Sequence, residues 1–165
     1  MPIELVEARA EDAGVIAALL DDYLRELARH REVAVGAPDS ASYPYFNAYW
    51  SEPGRYPFLI RRHGAVVGFA LIRGAASLGC PMSQIAEFYI APESRRLGVG
   101  RRAVASLWRR FPGAWELQVH ARNSAALEFW ASCIEAVVQE PPTPTEIYAA
   151  DGKRVQYNFY VEPAG

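Results

Sequence analysis

Gln84-Ile85-Ala86-Glu87-Phe88-Tyr89-Ile90, then Ala91-Pro92-Glu93-Ser94, then Arg95-Arg96-Leu97-Gly98-Val99-Gly100-Arg101-Arg102: this stretch decides the fold. The first run reads as a strand. The last opens a helical pattern, with Val99, Ala103, Leu107 and Phe111 at spacing four and Val104 and Trp108 beside them. A strand therefore feeds a short polar loop, and the loop feeds a helix whose first turn holds two glycines. Helix starts leave backbone N–H groups without intrahelical partners. They lie at the positive end of the helix dipole, which suits a phosphate or pyrophosphate. Gly98 and Gly100 remove side chains that would hold such an anion away. Arg95, Arg96, Arg101 and Arg102 add positive charge around it.

Two other phosphate loops compete for the same residues. Gly98-Val99-Gly100-Arg101-Arg102-Ala103 matches the G-x-G-x-x-G/A dinucleotide pattern. That pattern needs its first glycine at the strand end, in the opening βαβ unit. Here Ala91 to Leu97 intervene and a long N-terminal segment precedes the strand. No Gly-Lys-Ser/Thr follows, so a P-loop fits less well still.

The wider stretch is more specific. Arg95-x-x-Gly98-x-Gly100, behind a strand ending Tyr-Ile-Ala-Pro, resembles the acetyl-CoA signature of the GCN5-related N-acetyltransferases, the GNAT superfamily. Trp115-Glu116-Leu117-Gln118-Val119 resembles that family's next strand, and Asn123-x-x-Ala126-x-x-x-Trp130 the helix after it. Glu87-Phe-Tyr-Ile90, Phe111-Pro-Gly-Ala-Trp-Glu116 and Phe129-Trp130 are similar to a bacterial subgroup of predicted acetyltransferases.

The chain has 165 residues, a length that suggests one domain over 1–165. Half the residues are apolar, enough for one ordinary core. Its net charge of −2 lacks the basic excess of a nucleic-acid-binding domain. Cys80 and Cys133 suggest neither a disulfide framework nor a metal site. No signal peptide and no transmembrane run is evident, so the expected location is cytoplasmic, away from membranes.

Ile3 to Ala8 alternates as a half-buried strand does. Glu11 and Asp12 open a helix whose apolar stripe is Val15, Ile16, Leu19, Leu20, Tyr23, Leu24 and Leu27, with Arg29, His30 and Arg31 at its end. Val33 to Ser42 reads as loop, and Tyr43 to Trp50 as a short helix or ordered loop dense in aromatics. Tyr56 to Arg62 and Val66 to Arg73 form strands around a His63-Gly64 turn, followed by a turn-rich loop from Gly74 to Met82. Ala136 to Glu140 is a short strand candidate. Ile147 to Ala150 and Arg154 to Val161 flank an Asp151-Gly152 hairpin turn. This order predicts a mixed α/β (α+β) domain with a mainly antiparallel sheet. The resemblance adds about four flanking helices and a sheet splayed between its fourth and fifth strands, with acetyl-CoA in the gap.

The resemblance implies acetyl transfer from acetyl-CoA to an amine, either a small molecule or a peptide amine. Backbone N–H groups of Leu97 to Arg102 would hold the pyrophosphate, and Phe88, Tyr89 and Ile90 would meet the thioester arm. Asn123 matches the family asparagine that either bonds the pantetheine arm or caps its helix; Ala126 and Trp130 lie on the same helix. The attacking amine must be neutral, and for a lysine-like pKa near 10.4 that costs about 4–5 kcal/mol at pH 7. Glu87, the acid inside the central strand, is either the base or a solvated or arginine-paired residue. His120 ends the facing strand and is either a base or contact or a satisfied polar residue; Glu116 is a weaker candidate. Trp130 departs from the family tyrosine whose hydroxyl protonates the leaving thiolate, because an indole N–H only donates a hydrogen bond. Tyr89 is the candidate substitute. Tyr45 and Tyr49 fall in the region that covers the acceptor pocket in the family. The C-terminal strands offer a surface for a homodimer. A non-catalytic acyl-CoA sensor of the same shape is the competing reading.

Overall fold

The computed structural model describes residues 2–30 and 39–164. Its elements are β1 (Ile3–Glu7), α1 (Ala13–Leu27), β2 (Arg55–Arg62), β3 (Ala65–Arg73), α2 (Ala75–Leu78), β4 (Ser83–Ile90), α3 (Val99–Arg110), β5 (Gly113–His120), α4 (Ser124–Glu135), β6 (Thr145–Ala149) and β7 (Gly152–Val161). The strands form one seven-stranded sheet in the order β1-β2-β3-β4-β5-β7-β6. Every neighbouring pair is antiparallel except β4 and β5. Those two run parallel and pair only from Ser83–Trp115 to Ile85–Leu117 before they part.

Both faces of the sheet are covered, as a sheet with two apolar faces requires. On one face α3 and α4 bury Trp108, Trp130 and Ile134 against Phe58, Ile72, Ile85 and Trp115. On the other, α1 buries Ile16, Leu20 and Leu24 against Leu59, Phe69, Leu71 and Tyr89. Phe58 and Leu59 show the period-two alternation that divides one strand between two cores.

One irregularity positions the site. Leu71 pairs with Glu87 but Ile72 pairs with Ile85, so Ala86 is an extra residue, a bulge in β4. Ile85 faces the α3–α4 core, whereas Ala86 packs on the α1 side and Glu87 bonds Tyr23 of α1. Without that inserted residue, alternation would send the Glu87 carboxylate into the α3–α4 core.

Most of the expected elements form. Val15 is an exception within α1, being 43% exposed rather than part of the buried stripe. Ala136 to Glu140 is not a strand. α4 ends at Glu135, and the N–H groups of Val137 and Val138 both donate to the Ile134 carbonyl, which curls the chain where a strand would extend it. The segment 43–50 is a turn and a 3-10 helix, Asn47–Trp50, and the expected loop at 74–82 contains α2, ended by Gly79 at φ 75°. His63 and Gly64 both take positive φ, as a tight hairpin turn needs. The last hairpin turns at Ala150-Asp151, one residue earlier than expected, because Ala149 already pairs with Gly152. Arg31 and the 33–38 part of the expected loop lie outside the described residues. Among the described residues, no helix is long and apolar enough to cross a membrane.

Gly68 makes the β3–β4 contact possible. A Cβ there would lie 2.1 Å from the Tyr89 carbonyl oxygen and 3.2 Å from Ile90 Cα, both backbone atoms. Gly68→Ala is therefore expected to cost about 2–3 kcal/mol, an overpacking penalty, read as a lowered urea midpoint at unchanged slope.

Candidate active site

Where β4 and β5 part, a cleft of about 930 Å³ opens between the two layers. The loop from Arg95 to Arg101 lies at one end, and Tyr43, Tyr45, Tyr49, Arg55 and Arg73 line it too. Past Ile85 and Leu117 both strands present an open edge to the cleft. Ala91 N–H donates to the Val67 carbonyl of β3 at 2.8 Å, so strand alternation turns the N–H groups of Phe88 and Ile90 away from β3, toward the gap.

The two glycines of the loop serve different ends. Gly98 caps α3 in the left-handed region at φ 77°, with open space where a Cβ would stand. The helical ladder begins with Arg102 N–H donating to the Gly98 carbonyl at 3.2 Å, which leaves the N–H groups of Val99, Gly100 and Arg101 outside it. Gly100 is required by packing, since a Cβ would lie 3.0 Å from the Phe129 ring of α4 and 3.7 Å from Ile90. These oriented N–H groups at a helix start, opening into a large cleft, fit a diphosphate. Leu97 is half exposed at the loop's crest.

The arginines divide. Arg95 forms a two-pronged ion pair with Glu26 of α1, both contacts 2.8 Å, and its Nε donates to the Ile90 carbonyl at 2.8 Å. The Glu26 hydrogen bond raises its pKa above the ordinary arginine value. Its guanidinium also sits 5.5 Å from the Tyr89 ring centre. Arg101 donates to Ser132 Oγ of α4. Arg96 and Arg102 are exposed.

On the facing wall, Asn123 caps α4 by accepting the Ala126 N–H at 3.2 Å. Asn123→Ala is expected to lower stability by about 1 kcal/mol, read from the thermal midpoint. Phe129 stacks on Phe88 at 6.0 Å between centres, and Trp130 meets Phe88 edge-on at 5.2 Å. Trp130 is 7% exposed and lines the cleft with Ala126. The Cys133 thiol one turn further on is buried, and burial pushes its pKa up to about 11.

Glu87 stands in the cleft between two phenols. Tyr23 donates to one carboxylate oxygen at 3.4 Å and Tyr43 to the other at 3.3 Å. Burial, then the Glu87 charge, raises both phenol pKa values well above 10, so both hydroxyls stay protonated and keep donating. Tyr89 points into the α1-side core, packed at 5.7 Å from Tyr23 and 6.0 Å from Phe69. Burial raises its pKa as well.

His120 also lines the cleft, but both ring nitrogens are engaged. Nδ1 accepts the Arg122 backbone N–H at 3.2 Å, which makes Nε2 the protonated nitrogen in the neutral ring; Nε2 donates to the Asp151 carbonyl at 2.8 Å. The Asp151 side chain in turn receives two bonds from Arg154, each 3.0 Å. Burial pushes the Asp151 carboxyl up, but the Arg154 hydrogen bonds and charge outweigh it and hold it below its ordinary value.

At the remaining end, Tyr49 is buried and burial raises its pKa to about 12, while Tyr45 is 68% exposed. The Arg55 guanidinium lies 4.9 Å from the Tyr45 ring centre and 5.3 Å from that of Tyr49. Sequence reasoning had passed over Tyr23, Tyr43, Arg55, Arg73 and Arg154, which all line the cleft. Tyr23 was hidden in an apolar stripe. Its hydroxyl, unusual on such a stripe, was the one available signal. Among the described residues, no group of three or more His, Cys, Asp or Glu is arranged to hold a metal ion.

Residues 16–133 match the sequence profile of the Acetyltransferase (GNAT) family. The match covers most of the chain, which therefore belongs to that family, one built around acetyl-CoA as co-substrate. No curated protein matches in sequence. Among solved structures, the chain is similar to the ribosomal-protein-S18-alanine N-acetyltransferase of Escherichia coli, at 15% identity and TM-score 0.65, covering 99% of this chain and 97% of that one. It is similar to an acetyltransferase from Thermus thermophilus, at 13% identity and TM-score 0.69, with 98% of each chain covered. It is also similar to a phosphinothricin acetyltransferase from Sinorhizobium meliloti solved with AcCoA, at 15% identity and TM-score 0.68, covering 98% and 90%. Identities this low speak for the shared fold.

Proposed function

We propose that this chain, working as one domain, transfers the acetyl group of acetyl-CoA directly to a primary amine, with Glu87 as the base. Acetyl-CoA supplies the thioester-activated acetyl group. The N–H groups of Val99, Gly100 and Arg101 would hold its diphosphate, with Arg96 and Arg102 nearby. The Phe88 and Ile90 N–H groups at the open edge are the donors suited to developing negative charge on an oxygen. Ala126, Phe129 and Trp130 supply the apolar wall for the arm.

The observation that carries this reading is the Glu87 carboxylate, turned into the cleft by the Ala86 bulge and oriented by Tyr23 and Tyr43. It is favoured over His120, whose two ring nitrogens are both occupied. Glu87 takes the proton that an alkylammonium must lose before it attacks. Trp130 offers no acidic hydroxyl. The thiol leaving group, with a pKa near 8.5, departs tolerably without an acid; Tyr89, the expected substitute, lines the cleft, but its ring packs on the α1 side and its raised pKa makes it a weaker acid. Trp130 is also the observation that favours the second reading, an acyl-CoA-binding module without catalysis.

Calorimetric titration with acetyl-CoA, with NAD and ATP as controls, tests the co-substrate, and amine-dependent thiol release tests the transfer. Micromolar acetyl-CoA binding with thiol release is expected. Binding without release for any amine would favour the second reading. A folded protein that ignores acetyl-CoA would overturn both.

A further inference from the structure

The acceptor end of the cleft carries a charge arrangement that proton removal by Glu87 does not require. Arg55 and Arg73 are register partners across β2 and β3, so their side chains leave the same face. Both line the cleft. Like charges directly opposite on neighbouring strands repel. The Arg55 side chain is only 10% exposed, where a charge needs a partner.

Their neutralisation is incomplete. The Arg55 Nε lies 3.4 Å from Glu52, a carboxylate 55% exposed to solvent. Arg73 donates to Ser77 Oγ at 2.9 Å and to the Ser77 carbonyl at 3.2 Å, both uncharged. Among the described residues it forms no ion pair. Two of the other cleft arginines differ: Arg154 is matched by Asp151 and Arg95 by Glu26, each through two contacts, whereas Arg96 and Arg101 belong to the helix-start loop. Arg55 therefore meets one exposed carboxylate and Arg73 only uncharged groups, while Glu87, the other acid of this end, is engaged by the two phenols.

Glu87 stands close by. Its partner on β3 is Leu71, two residues from Arg73, which is about 7 Å along the strand. The Tyr49 ring stands against Arg55, between the aromatic segment and that charge. One pocket thus holds a carboxylate suited to an ammonium and, two residues along β3 from that carboxylate's strand partner, a guanidinium pair suited to an anion.

We propose that Arg55 and Arg73 form an anion subsite and that the acceptor is a small amino-acid-like zwitterion, its amine at Glu87 and its carboxylate on the two arginines. This rests on the acetyl-transfer reading of the same cleft. Guanidinium forks bind carboxylates with two directed hydrogen bonds. A diamine, or a lysine-rich peptide, would bring a second cation against two guanidinium groups and be rejected.

The test measures thiol release from acetyl-CoA with a panel of α- and ω-amino acids, each matched to its primary amide, and with diamines. Converting the acid to the amide makes the amine less basic and supplies more neutral nucleophile, so intrinsic reactivity favours the amide. The free acids are nonetheless expected to lead by about tenfold or more in kcat/KM. Arg55→Gln and Arg73→Gln should each drive that ratio toward one, chiefly through the KM of the acid, and Arg73→Lys should restore part of it. A purely structural role would lower acid and amide together. Amides or diamines that match the acids in the unaltered protein would overturn the anion subsite and leave acetyl transfer standing. Acetyl-CoA binding with no amine consumed would overturn the transfer reading, and this inference with it.

Discussion

Glu87→Gln is expected to lower kcat for amine acetylation by about 10²–10³-fold while leaving the affinity for acetyl-CoA unchanged. The side chain keeps its shape; its carbonyl oxygen still accepts from one phenol, and its amide NH2 donates to the oxygen of the other, whose hydroxyl must turn away. What disappears is the proton acceptor. The amine must then reach the cleft already neutral, and for a lysine-like amine only about one molecule in a thousand or fewer is neutral at pH 7. The pH profile supplies a second signature. The rate of the variant should keep climbing toward the amine's own pKa, whereas the unaltered protein levels off earlier. Steady-state rates from about pH 6 to 10 with a fixed amine would check both. An unchanged kcat would remove Glu87 from the chemistry and leave the phenols around it as a packing device.

Gly100→Asp and Gly98→Asp are each expected to weaken acetyl-CoA binding at least about a hundredfold, or roughly 2.7 kcal/mol. The new carboxylate would stand among the N–H groups that begin α3, in competition with the diphosphate for the same donors. The two sites differ in what else they disturb. At Gly100 the Cβ must push on the Phe129 ring, 3.0 Å away, whereas at Gly98 the space is open and the cost is a positive φ that Asp tolerates better than most residues. An acid in the first turn also favours the helix itself, so circular dichroism should show a folded protein in both cases. Gly100→Ala separates the effects, because it keeps the ring contact without the charge. Calorimetric binding close to that of the unaltered protein in both Asp variants would place the diphosphate elsewhere.

The loop that carries these predictions was legible because its signals are local. A glycine with positive φ and N–H groups beyond the ladder arise within one turn of α3, as the Asn123 cap does within one turn of α4. The end of the cleft around Glu87 was less legible. Glu87 was visible as an acid in an apolar strand, but its two partners come from residues 64 and 44 positions earlier. His120 was read as either a base or a satisfied polar group, and the carbonyl that engages it belongs to Asp151, 31 residues on. Ala136 to Glu140 was misread because an apolar pair after a helix looks like a strand until its N–H groups are seen to fold back on Ile134.

The chain's own order of apolar periods, caps and glycines determined most of the element sequence, the family and the glycine-capped start of α3, because each depends on neighbours a few residues apart. Only the tertiary structure decided which way Glu87 faces and that Arg55 stands opposite Arg73. Both follow from strand register, and the single inserted residue Ala86 shifts that register by one. In a structure whose side chains alternate with period two, a shift of one residue exchanges the faces, and nothing local to Glu87 records it.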